Sequence, residues 1–115
     1  MGDTIFSKII SKEIIADIVF ENDSVIAFRD INPQAPVHIL IVPKIEIPKV
    51  TDLNGKEHAQ LLGEMIDVAN TLAAENNIAK EGFRLVMNCG QKGGQEVYHL
   101  HMHLLGGRQM RWPPG

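Results

Sequence analysis

Cysteine, tryptophan and tyrosine each occur once in the 115 residues, and aromatics make up only 5% of the chain. With Cys89 alone, neither an intrachain disulfide nor a cysteine-based zinc cluster can form. Eleven Lys and Arg against 14 Asp and Glu leave a formal charge of −3, the wrong sign for a surface that coats nucleic acid. The densest apolar run, Val37 to Val42, falls far short of the ~20 residues that span a bilayer. Met1-Gly2-Asp3-Thr4 has no basic region leading into an apolar stretch, and Phe6 stands where a myristoylation site needs Ser or Thr. These absences predict a reducing, cytoplasmic setting with neither membrane nor nucleic acid as partner. What remains, 44% apolar and 22% charged residues, is ordinary for one soluble globular domain.

The pattern along the chain predicts one domain over residues 1–115, with a short tail over 108–115. Thr4 caps a short helix whose apolar face is Ile5, Phe6, Ile9 and Ile10. Asp17–Phe20 and Val25–Phe28 read as a hairpin around Glu21-Asn22-Asp23-Ser24. A Pro-punctuated loop, Asp30 to Pro36, leads into a central strand, Val37–Val42, closed by Pro43. After an irregular connection, Asn54 and Glu57 suggest a capping box for a long amphipathic helix. Its two apolar rows are Leu61, Met65, Val68, Leu72 and Leu62, Ile66, Ala69, Ala73, and it ends near Asn76-Asn77. Strands are then expected at Phe83–Asn88 and Glu96–Leu105, around the glycine-rich loop Cys89-Gly90-Gln91-Lys92-Gly93-Gly94. Paired strands with one long helix indicate an antiparallel α+β arrangement rather than alternating βαβ units.

Three of the five histidines stand at alternate positions, His99, His101 and His103. On a regular strand they would share one face, with Leu100, Met102 and Leu104 turned into the core. A solvent-facing polar edge is the plainest account of such a row. Zinc chelation is a second, but the outer pair would stand roughly 13 Å apart on an extended strand, too far for one ion. Nucleophilic chemistry at phosphorus is a third: a neutral imidazole attacks, its neighbours hold its tautomer and handle protons. The adjacent glycines fit that account, since Gly90, Gly93 and Gly94 allow backbone N–H groups to converge on an anion, although neither Walker A nor G-x-G-x-x-G spacing is present. Asp30, following a strand, could accept both hydroxyls of a ribose, and Ile5, Phe6, Phe28 and Ile31 could sandwich a base; core packing and turn formation explain the same residues more simply. His38 reads as a buried histidine beside the row, His58 as solvated, and Cys89 as a small loop residue.

The run His99-x-His101-x-His103-Leu104-Leu105 resembles the signature of the histidine triad (HIT) superfamily. The likeness extends over Asp3–Ile10, Ala27–His38, Gly93–Tyr98 and the Gly106–Gly115 ending, and is nearest the Hint branch of nucleotide-binding proteins. That resemblance implies an α+β fold with a five-stranded antiparallel sheet, one long and one short helix, and a homodimer. It implies hydrolysis of purine nucleoside phosphoramidates, with aminoacyl adenylates as further substrates, and no metal or other cofactor. His101 would be the nucleophile, His99 and His38 members of its histidine network, and His103 a phosphate contact that assists proton transfer. Asp30 would hold the ribose, and Ile5, Phe6, Ile9, Phe28 and Ile31 would line the base pocket. Asn88, Gly94, Gln95 and Glu96 would lie along ribose and phosphate, with Glu96 standing where animal members typically carry Ser. The tail around Trp112 would approach the partner subunit's site. A nucleotide-binding interaction protein with incidental hydrolysis is the alternative the motifs leave open.

Overall fold

The computed structural model describes residues 3–115; Met1 and Gly2 lie outside the described residues. Five strands form one antiparallel sheet: β1 (Ile18–Glu21), β2 (Val25–Arg29), β3 (Val37–Pro43), β4 (Phe83–Val86) and β5 (Met102–Gly106). Their spatial order is β1-β2-β3-β5-β4, so the histidine-bearing β5 is interior and β4 is an edge. Two helices accompany them, α1 (Ile5–Ile10) and α2 (Ala59–Glu75), and a 3₁₀ turn covers Val50–Asp52. The α+β class and the five-stranded sheet therefore stand as the sequence suggested.

Alternation along the strands divides the apolar residues between two layers. Val25 and Ala27 of β2, Ile39 and Ile41 of β3, and Met102 and Leu104 of β5 pack with Met65, Val68, Ala69, Leu72 and Ala73 of α2. The intervening positions, Ile26, Phe28, Leu40 and Val42, face the other way and meet Phe6 and Ile9 of α1. His38 of β3 shares that second face with Leu40, which pairs in register with His103.

Local signals explain most boundaries. Thr4 caps α1 by accepting the Ser7 N–H at 3.0 Å. Asn22 closes the first hairpin, its side-chain oxygen accepting the N–H groups of Ser24 and Val25 at 2.9 and 2.8 Å. At the end of α2, Asn77 adopts a left-handed φ of 61°. The N–H groups of Asn77 and Ile78 return to Ala74 and Ala73 at 3.2 and 2.9 Å, a Schellman ending with Ile78 buried beneath it.

Four expectations need correction. The helix α2 starts at Ala59, later than the suggested capping box. Asn54 does accept the N–H groups of Lys56 and Glu57, but this makes a separate turn. The Asn54 N–H is taken by His58 Nδ1 at 2.8 Å rather than by Glu57, so His58 is a half-buried structural residue and not a solvated one. The strand expected over Phe83–Asn88 stops at Val86. The strand expected over Glu96–Leu105 begins only at Met102. Continued pairing toward Leu100 would set β5 against Pro43, which has no N–H to donate. The chain instead turns to the 43–48 connection, where the Leu100 N–H meets the Ile47 carbonyl at 2.7 Å.

Candidate active site

That early departure from the sheet decides how the histidines are arranged. His103 is on β5, whereas His99 and His101 precede it in irregular chain, so the three do not form one row on a pleated face. His99 is buried and points elsewhere, its Nε2–H donating to the Pro43 carbonyl at 2.7 Å. It does not line the cavity that holds the other two. What it offers the site is its backbone: the carbonyl of His99 accepts from His101 Nδ1 at 2.7 Å.

The hydrogen bonds assign the tautomers. His101 carries its proton on Nδ1, leaving the Nε2 lone pair free. His38 Nδ1 accepts the Gln34 N–H at 3.0 Å, so its own proton is on Nε2, 2.9 Å from His103 Nδ1. His103 then accepts at Nδ1 and carries a proton on Nε2. An imidazole with a free lone pair thus sits beside an imidazole with a free N–H, the ring centroids 5.0 Å apart. Phe6 meets His101 edge-on at 4.8 Å and fixes its plane. Burial lowers the pKa of His101 and of His38 below the ordinary imidazole value. His103 is pushed down to about 4, by burial first and by the neighbouring His101 and His38 second, with Asp30 opposing. All three are neutral at pH 7, the form in which His101 holds a nucleophilic lone pair; His103 has to take up a further proton before it can act as an acid.

These rings open into a cavity of about 540 Å³. One side is apolar, built from Ile5, Phe6, Ile9, Phe28 and Leu40; the other carries Asp30, His38, His101, His103, Asn88, Gly94 and Glu96. Asp30 accepts the Asn32 N–H through one oxygen at 2.8 Å and sets the other 3.4 Å from His38 Nε2. Ile31 reaches the cavity but is 94% exposed, so it forms a rim and not a wall. Of the catalytic and nucleotide-binding residues that the family resemblance implied, only His99 and Gln95 lie off the cavity, and Gly90 and Gly93 of the expected anion nest lie off it too.

Gln95 is buried for another purpose. Its Oε1 accepts the Gly90 N–H at 3.0 Å, and its Nε2 donates to the carbonyls of Pro48 and Val97. It staples the glycine loop to the 43–48 connection. The Gly94 N–H is also occupied, by the Gln91 carbonyl at 3.0 Å. The converging anion nest expected from Gly90, Gly93 and Gly94 is therefore not built as the sequence suggested. The loop is instead a tight turn: a Cβ on Gly93 would overlap the Cys89 backbone.

Sequence reasoning missed the Ile14-Ile15-Ala16 segment, which lines the cavity mouth with Ile15 96% exposed. An apolar pair directly after the polar Ser11–Glu13 was the available signal. It also missed Gln34, whose N–H sets the tautomer of His38. For a cation, the converging donors are Asp30, His38 and His103, all within 4.8 Å of one another, and not the three histidines of the motif. The 2.9 Å contact between His38 and His103 is a hydrogen bond that an ion there would have to displace.

A HIT domain model matches residues 11–110. The chain is 60% identical over 108 residues to the purine nucleoside phosphoramidase of Escherichia coli K12, covering 94% of this chain and 90% of that one. It is 54% identical to the adenylylsulfatase HINT1 of Arabidopsis thaliana, covering 97% and 76%. Among solved structures, a HIT family hydrolase from Legionella pneumophila superposes with a TM-score of 0.95 at 50% identity, over 98% of this chain and all of that one.

Proposed function

Because the chain belongs to the HIT domain family, we infer that it is a purine nucleoside phosphoramidase working by double displacement at phosphorus. The observation that carries this reading is the tautomer pair: a nucleophilic nitrogen on His101 and an N–H on His103, in one cavity, both rings neutral. The apolar side takes the purine, and Asp30 the ribose hydroxyls. His101 Nε2 attacks phosphorus, the P–N bond breaks, and the departing amine nitrogen receives a proton from His103, which takes that proton up with the anionic substrate and acts as an imidazolium. Water then attacks the nucleotidyl-histidine. Its hydroxyl stays on phosphorus, the P–Nε2 bond breaks, and its proton restores His103. The products are a nucleoside monophosphate and a free amine; aminoacyl adenylates can enter the same first step with a carboxylate as leaving group.

His99 and Gln95 act here by position: His99 through its carbonyl, Gln95 through the loop it holds. The protein works as a homodimer in the cytoplasm. The open edge of β4 and Trp112, 82% exposed, are surfaces a second protomer would cover. Among the described residues no helix is long and apolar enough to cross a membrane. Rapid quench into organic solvent at neutral to alkaline pH, which preserves a P–N bond, during turnover of an adenosine phosphoramidate tests the mechanism by mass. The expected result is a nucleoside monophosphate increment on the peptide bearing His101. Turnover with no increment, or with the increment on another side chain, would exclude it.

A further inference from the structure

The charges around the cavity do not suit a phosphate dianion. Arg29 is the only lysine or arginine among the described residues lining it, and its Nε lies 3.3 Å from Asp17 Oδ2, so its charge is already shared. The imidazoles contribute none at pH 7, and two of the glycine-loop N–H groups are bonded within the loop. Against these stand two carboxylates. Asp30 is engaged with Asn32 and His38. Glu96 is exposed and, among the described residues, makes no hydrogen bond or ion pair. It stands between Gly94 and Val97 in the wall that leads on to His101. A sphere of the cavity's volume is roughly 10 Å across, close to one Debye length at physiological ionic strength, so Glu96 acts on any charge bound there.

We propose that Glu96 is a specificity residue that favours phosphoramidates whose leaving amine carries a second, positively charged nitrogen. The proposal rests on the phosphoramidase reading and names the substrate class of that site. A phosphoramidate monoanion with an ammonium on its amine arm is internally balanced. It meets Glu96 with attraction at the amine end, which offsets repulsion at the phosphoryl group. The nucleoside monophosphate left after hydrolysis has no such arm and carries more negative charge, so the same carboxylate speeds its departure.

The test compares two adenosine 5′-phosphoramidates of matched length, one of propylamine and one of 1,3-diaminopropane, on the full-length protein and on E96Q. The wild type should favour the diamine compound by about tenfold in kcat/KM, about 1.4 kcal/mol. E96Q should shrink that ratio at least fivefold, and so should 0.5 M NaCl on the wild type. Product inhibition by AMP should tighten severalfold in E96Q. An equal ratio in both proteins, or no preference in the wild type, would overturn the proposal and leave Glu96 a solvated surface carboxylate. Absence of turnover on both compounds would instead strike the phosphoramidase reading itself, and the proposal with it.

Discussion

The two faces of the sheet are made by the same strands and end in opposite conditions. On one, α2 supplies 17 residues and covers the sheet along roughly 25 Å; on the other, α1 supplies six, roughly 9 Å. The first face closes into a dry core in which Val25, Ala27, Ile39, Ile41 and Leu104 have no exposed surface. The second is covered by α1 together with Ala16 and Val97, which bury Ile26 and Val42 completely, and the cavity opens where that thinner cover stops. A short helix thus creates a binding site by failing to finish a layer. Stability and chemistry are thereby assigned to opposite sides of β2, β3 and β5.

Breaking each side separately should therefore give opposite phenotypes. The largest effect belongs to His101→Ala, which should cut phosphoramidate turnover by about 10⁴-fold while the melting temperature changes little. Steady-state kinetics and calorimetry on the same preparation check both halves; a variant keeping a tenth of the activity would place the nucleophile elsewhere. Next is Leu72→Ala on the α2 face, where a fully buried side chain is lost. It should cost about 2–5 kcal/mol in urea unfolding, with kcat per folded molecule preserved. A comparable loss of kcat with no change in stability would mean that the faces are not independent.

The smallest effect sharpens the comparison through pH. Histidines on the cavity face have pKa values lowered by folding, so the unfolded chain takes protons that the folded one refuses. Their contribution is complete above about pH 6.5 and is lost as pH falls through the interval down to about 4, the value for His103. Thermal midpoints should decline between pH 7 and pH 5, above the range where Glu21, with its lowered pKa, begins to titrate. His103→Gln should flatten that decline, and Leu72→Ala should not. The acid limb of kcat/KM should likewise lie below pH 6.5, because His101 stays neutral there.

Much of this was legible in the residues. Period-2 alternation in Val25–Phe28 and Val37–Val42, and the two helical rows of α2, are direct imprints of the two layers. The weight given to His101 and His103 came from the cost of leaving imidazoles at alternate positions idle, and the fold brings both rings into one cavity. Less visible was where the last strand begins. That depends on Pro43, some sixty positions earlier, lacking a donor for the partner it would face, which no local pattern in Glu96–Leu105 reveals. The fate of the glycine N–H groups was hidden for a related reason: Gln95 reads as a loop polar residue, and only the fold brings Pro48 within 2.8 Å of its amide. Tautomers were also out of reach, because a histidine's proton is placed by its partners, here the Gln34 N–H and the His99 carbonyl.

Gln34 links the cavity to the start of the C-terminal tail. Its N–H holds His38 Nδ1, and its carbonyl accepts from Arg108 Nε at 3.0 Å. Arg108 opens the C-terminal tail, which is tethered again where Arg84 of β4 donates to the Arg111 carbonyl at 3.0 Å. Two adjoining peptide groups are thus shared between a proton relay and a strap over the surface. Three hydrogen bonds, Arg108 to Gln34, Gln34 to His38 and His38 to His103, therefore run from the start of the tail to the cavity.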